Sequence, residues 1–226
     1  MRMSAIAHAA IALAFIASPL LAADIKVVFE NTGQGGTLPE RNASCVASHG
    51  KAAAGSNKSP GISWSKGPAG TRSYALAMTD PDVPRDLSLL NKDGTMIARD
   101  LPRMEFTHWI LANIPATITR LAEGADGDGL PQGGLPLETT EHGRRGQNGF
   151  AAFLKDGPYG GYMGACPPWN DLRIHRYRVT VYALDTERLS LPDAFTRTDF
   201  LAAAKRHVLA SGAAELTYTI NARATK

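Results

Sequence analysis

Tyr177-Arg178-Val179-Thr180-Val181-Tyr182-Ala183-Leu184 decides the fold class. Side chains alternate across an extended chain, so Tyr177, Val179, Val181 and Ala183 face one way and Arg178, Thr180, Tyr182 and Leu184 the other. Most of these residues are the β-branched and aromatic types that strands favour. Outward from it, Tyr74-Ala75-Leu76-Ala77-Met78 is a short apolar run between Gly70 and Asp80-Pro81, and reads as a buried strand. His108 to Ile114 is another, closed by Pro115. Ile25 to Phe29 and Glu215 to Ile220 are strand candidates near the two ends, and Asn31 to Pro39 reads as loop. One segment is helical: from Thr198 to Ala210, Leu201, Ala204 and Val208 follow helical spacing, with Thr198 as cap and Gly212 as stop. Glu123 to Arg145 is rich in Gly, Asp and Pro and reads as a long surface excursion. Strands with a single late helix predict a mainly β sandwich rather than a parallel α/β fold.

The 226 residues are 44% hydrophobic and 20% charged, which suits a packed core. The formal charge is only +3, and no Lys/Arg run carries interleaved aromatics, so no nucleic-acid partner is expected. Arg2, the apolar stretch Ala9 to Ala17 and the small residues Ala22 and Ala23 read as a secretory signal cleaved just before Asp24. The stretch is short of the roughly 20 residues a spanning helix needs, and Pro19 interrupts it, so no stable membrane anchor is expected after cleavage. The expected organisation is a signal peptide at 1–23 and one domain at 24–226, periplasmic or secreted. In an oxidising compartment Cys45 and Cys166 are expected to join. Such a long closed loop is worth roughly 4 to 5 kcal/mol in the chain-entropy account.

The common catalytic motifs are missing: no G-x-S-x-G, H-E-x-x-H, Walker A or C-x-x-C pattern occurs. Ser48-His49-Gly50-Lys51 and Ser63-Trp64-Ser65-Lys66 fit S-x-x-K without its companion motifs. Ala125-Asp126-Gly127-Asp128-Gly129 hints at a calcium loop but lacks the downstream Glu, so it reads as a solvated loop. Three segments concentrate unusual residues. Asp80-Pro81-Asp82-Val83-Pro84 follows a buried strand, where two carboxylates are costly unless paired; alone it also suits a plain Asp-Pro turn. Thr107-His108-Trp109-Ile110 opens another apolar run, where a lone His is more often a hydrogen-bonded core residue. Gly160-Gly161-Tyr162-Met163-Gly164-Ala165-Cys166-Pro167-Pro168, followed by His175-Arg176-Tyr177, combines close-approach glycines with a stiff Pro-Pro step.

Together these three segments resemble, in order, the signature segments of the phosphatidylethanolamine-binding protein family, which includes the Raf kinase inhibitor proteins and plant flowering regulators. Ser59-Pro60-Gly61-Ile62-Ser63-Trp64 and Gly67-Pro68-Ala69-Gly70-Thr71 resemble the family's preceding segment, and His207 to Thr217 its C-terminal helix and strand. The resemblance implies a Greek-key β-sandwich with peripheral helices, one near the C-terminus. It implies a pocket for a phosphate-like or phospholipid head group lined by Asp80, Pro81, Asp82, His108, Gly164, Pro167, Pro168, His175 and Tyr177. Two imidazoles would offer N–H donors to the anion, and Asp80 would need a His or a ligand ammonium beside it, which a zwitterionic head group supplies. The chain departs from the family pattern in the polar link through Asn91-Lys92-Asp93-Gly94, at Phe106, and from Arg144 to Gly157.

The expected function is therefore a binding protein and not an enzyme, with no cofactor, and with a protein partner that the sequence does not name. Two alternatives remain at this point. One is a hydrolase using Asp80, His108 and His175, with a metal or by acid/base chemistry, since two His and a carboxylate suit zinc. The other is a secreted protease inhibitor.

Overall fold

The computed structural model describes residues 24–225, so the expected signal peptide lies outside the described residues. The strands are β1 Val27–Phe29, β2 Cys45–Ser48, β3 Lys51–Ala54, β4 Ile62–Trp64, β5 Ser73–Pro84, β6 Arg103–Pro115, β7 Arg120–Leu121, β8 Thr139–Thr140, β9 Gly143–Arg145, β10 His175–Leu184 and β11 Val208–Tyr218. Helix α1 spans Ala151–Leu154 and α2 spans Arg197–Ala204. Six strands form one sheet in the order β11-β10-β5-β6-β9-β8, β1-β4-β7 form a second, and β2-β3 a separate hairpin. Pairing between these strands is antiparallel.

The main core lies between the two larger sheets. Leu76, Met78, Trp109, Leu111, Val179 and Val181 meet Val27, Phe29, Ile62, Trp64 and Leu121 there. The opposite face of the large sheet is covered as well, where Ala75, Ile110, Ala112 and Leu184 pack with Phe195, Phe200 and Ala204. Burial on both faces is why Tyr74–Met78 and Trp109–Ala112 read as unbroken apolar runs, while β10 alternates because its outer face is partly open. Cys45 and Cys166 are joined as a disulfide, which ties the β2-β3 hairpin to the segment after Gly164.

The structure corrects the expected element boundaries. The Asp80–Pro84 segment lies inside β5 rather than after it, because the strand continues past the buried run to Pro84. The late helix is shorter and rotated: Thr196, not Thr198, caps it through a reciprocal pair with Asp199, and its buried residues are Phe200 and Ala204. Leu201 is exposed, and Val208 already belongs to β11. Gly212 does not stop a helix. It sits mid-strand, where a Cβ would fall 1.6 Å from the Ile25 carbonyl oxygen, so only glycine lets the N-terminal segment cross there. The 123–145 excursion is anchored by Asp126, fully buried, which accepts hydrogen bonds from Trp109 Nε1 at 2.5 Å and Arg145 Nε at 2.6 Å.

Candidate functional site

The site begins with a break in β5. Pro81 has no N–H to give to the ladder, and the β5–β6 register shifts between Asp80 and Val83. The Asp82 N–H instead donates to Asp80 Oδ1 at 2.8 Å. Asp80 Oδ2 accepts from Nδ1 of His175, the first residue of β10, at 2.7 Å. The other ring nitrogen of His175 donates to Asp171 Oδ2 at 3.1 Å. Arg103, the first residue of β6, closes the row by donating to Asp171 at 2.5 and 3.2 Å. Burial lowers the His175 pKa, but the charges of Asp80 and Asp171 and the hydrogen bonds to them outweigh it and raise it to about 9. Burial likewise opposes ionisation of Asp171, and His175 and Arg103 overcome it and hold its pKa low. His175 is therefore an imidazolium with both N–H groups engaged.

His108 faces this row from β6. The Met163 carbonyl, 2.8 Å from Nδ1, can only accept, so Nδ1 carries the proton. Burial lowers the His108 pKa despite Asp80, which keeps the ring neutral and leaves a lone pair on Nε2. Nε2 is buried, has no hydrogen-bond partner, and lies 4.0 Å from Asp80 Oδ2. The Tyr177 hydroxyl, also buried, lies beside Asp80 but makes no well-formed hydrogen bond. Burial and then Asp80 push its phenol pKa well up.

Above these groups is a cavity of about 350 Å³. Leu87 and Leu90 form one wall, and Phe106 with Phe150, Phe153 and Leu154 around α1 form another. Cys166, Pro167 and Pro168 form a third. Asn170, fully buried, staples the Leu87–Leu90 wall: its amide donates to the Leu89 and Thr95 carbonyls at 2.9 Å, and its oxygen accepts from the Asn91 N–H at 3.0 Å. Asn91 holds φ 55, a left-handed conformation that asparagine tolerates.

Of the residues expected at the site, Asp80, His108, Pro167, Pro168, His175 and Tyr177 line the cavity. Pro81, Asp82 and Gly164 do not line it. Asp82 is buried beside it and is held by Arg173 at 2.9 Å and by Arg176 at 2.8 and 3.0 Å. Burial opposes its charge, and the two guanidiniums overcome that and keep its pKa low. Gly164 is packed where a Cβ would strike the Tyr162 hydroxyl and the Asn42 carbonyl, and its N–H donates to Asn57 at 2.8 Å. The paired donation expected from two imidazoles also changes, since His175 has no N–H left to offer. Sequence reasoning missed Arg103, Asp171, Asn170, Phe150 and Phe153, while Phe106, singled out in the sequence, does stand in the wall. Asp171, four residues before His175, was the one available signal, because a buried histidine needs an anion. Among the described residues, no group of three or more His, Cys, Asp or Glu is arranged to hold a metal ion.

Comparison with known proteins identifies the family and the fold. Residues 30–219 match the family described as phosphatidylethanolamine-binding protein. The UPF0098 protein YbcL of Escherichia coli is 35% identical over 138 residues, 60% of this chain and 57% of that protein. A UPF0098 protein of Methanothermobacter thermautotrophicus is 34% identical over 156 residues, 69% of this chain and 78% of that one. The crystal structure of Escherichia coli YbcL, described as a member of the mammalian family, superposes with a TM-score of 0.61 at 28% identity, covering 88% of this chain and 100% of the other. A homologue from Chlamydia trachomatis superposes with a TM-score of 0.58 at 26% identity, covering 87% and 97%.

Proposed function

The chain belongs to the phosphatidylethanolamine-binding protein family, and from that premise we propose that it is a binding protein, not an enzyme, whose cavity takes the head group of a zwitterionic or phosphate-like amphiphile. One observation carries this reading: two buried polar groups, His108 Nε2 and the Tyr177 hydroxyl, make no well-formed hydrogen bond at the base of a cavity with apolar walls. Buried polar atoms normally find partners, and a pocket with apolar walls and a few converging polar groups is the usual form of a small-molecule site. Catalysis is less well supported by the same groups. Cys166 is tied up in the disulfide, the Tyr177 phenol is hard to ionise, and both nitrogens of His175 are engaged.

Export is part of the proposal. It is supported by the charged and apolar pattern from Arg2 to Ala23 and by the disulfide, a bond that persists outside the reducing cytosol. Leu87, Phe153 and Leu154 are exposed at the cavity rim and offer apolar surface to a protein partner. The direct test is an NMR titration with phosphoethanolamine that follows the histidine side chains. A saturable shift at His108 is the expected result; an unmoved His108 at millimolar ligand would refute the assignment of the cavity.

A further inference from the structure

We propose a second binding site on this molecule, for a small dianion, at the opposite end of the large sheet from the cavity described above. Strand β10 begins at His175 on the floor of that cavity and ends at Leu184, a run of roughly 30 Å for a strand of its length. Beyond that end lies a separate surface pocket of about 310 Å³, lined by Asn113, Thr139, Arg144, Arg188 and Leu189. This site goes beyond the head-group reading and does not depend on it.

The lining has one electrical sense. It holds two guanidiniums, an amide and a hydroxyl, and no carboxylate. A guanidinium is a flat fork of N–H donors that matches two oxygens of a carboxylate or a phosphate. Two such groups on one pocket call for two negative charges. The ligand class is therefore a compact oxyanion with a charge of about two, either a small dicarboxylate or a phosphate group. The nearby acids are otherwise placed. Glu187, beside Arg188 in the chain, accepts from Arg72 at 2.8 Å. Asp193 lies 3.3 Å from Arg144 but is fully exposed, where water screens its charge.

The donors are held in place by the fold. The β5–β6 register shifts between Leu111 and Ile114, and Asn113 sits in that irregularity at φ 56, a left-handed conformation. Its side-chain oxygen accepts from the Leu189 N–H at 2.9 Å. The oxygen is thus committed to the loop after β10, and the NH2 end is left to donate. Arg144, on β9, is pinned by the same loop: Nη1 donates to the Leu191 carbonyl at 3.0 Å and Nη2 to the Pro192 carbonyl at 2.7 Å. Its guanidinium carbon stands 5.4 Å from the centre of the Phe195 ring, which fixes the plane of the fork. Arg188 is exposed, and among the described residues it is hydrogen-bonded only through its carbonyl, which accepts from Thr186. Its side-chain donors are therefore available to a ligand.

The experiment is an NMR titration of the purified full chain at pH 7.5 with malonate, inorganic phosphate and acetate, following the Asn113 side-chain amide, the Leu189 backbone amide and the His108 ring. At least one dianion is expected to shift Asn113 and Leu189 saturably, with an affinity at least fivefold above that of acetate. Malonate alone would identify a dicarboxylate site and phosphate alone a phosphoryl site, and either upholds the proposal. Asn113→Asp keeps the oxygen that accepts from Leu189 but replaces the donor by a negative charge, and is expected to lose at least tenfold. Should that variant fail to fold, Arg188→Ala, which truncates an exposed side chain, is expected to lose at least fivefold. No saturable shift at Asn113 with tens of millimolar dianion overturns the site, as does a preference over acetate below fivefold or wild-type affinity in the folded variants. Shifts at His108 with none at Asn113 would put the anion in the other cavity and overturn this site while leaving the head-group reading intact.

Discussion

His175 is charged because of the two carboxylates that grip it. Its pKa of about 9 lies above the ordinary 6.5, so its contribution to stability is complete below about pH 6.5 and is lost as pH rises through 9. The size of the shift corresponds to about 3 kcal/mol. His108 acts with the opposite sign. Its lowered pKa means that stability is lost as pH falls below 6.5. Asp82 and Asp171 hold until pH drops below 3.8, because theirs are also lowered. Thermal unfolding midpoints are therefore expected to fall on the alkaline side between pH 6.5 and 9, and His175→Gln is expected to remove that slope. A midpoint that stays flat across the window would mean His175 is neutral. Much of this row was legible in the sequence: Asp80, His108, His175 and Tyr177 stand in motif segments with recognisable neighbours. Arg103 was not, since an exposed ion pair and a buried one look alike in a chain of letters, and Asp171 showed only as an acid four residues before His175. The proton on His108 was set by the Met163 carbonyl, 55 positions away, and only the fold brings the two together.

At the scale of elements, the cavity is built by segments that carry little secondary structure. The Leu87–Leu89 turn and four-residue α1 are too short to hold themselves, so their positions depend on side chains from elsewhere. Asn170 supplies that support for the first wall. Asn170→Ala leaves the part-buried Leu89 and Thr95 carbonyls short of a donor, a loss of about 1 to 2 kcal/mol. Hydrogen exchange from residues 85–97 should quicken and ligand affinity drop; unchanged protection there would show that the loop stands without it. These walls also mark where sequence reading stopped. The strands announced themselves by period and by apolar runs. Phe150, Phe153 and Leu87 did not, because isolated apolar residues in a polar stretch have no pattern until a cavity gives them one. The misplaced helix has a related cause: Leu201, Ala204 and Val208 satisfied the spacing, but the face that packs is Phe200 and Ala204, with Phe200 edge-on to Tyr182.

For the whole molecule, the mainly β sandwich was legible and the disulfide was expected from compartment. What compartment could not supply is the bridge's position: it fastens a peripheral hairpin to the wall of the cavity. The paired substitution Cys45→Ala with Cys166→Ala should lower stability by up to about 4 to 5 kcal/mol, the closure entropy of so long a loop, read as a fall in the urea midpoint. An unchanged midpoint would show that the sandwich alone fixes the hairpin.

The bridge spans 121 positions and involves the only two cysteines in the chain. Four cysteines would permit three pairings; two permit one. No scrambled isomer of a single chain exists, so no editing of disulfides is needed for correct maturation. The remaining error is a link between two chains, and its frequency rises with concentration. Cys166 precedes β10 and β11, so oxidation can close the loop before the last two strands are made. The wall of the cavity can thus be fastened before β10, which brings His175 and Tyr177 to its floor, has joined the sheet.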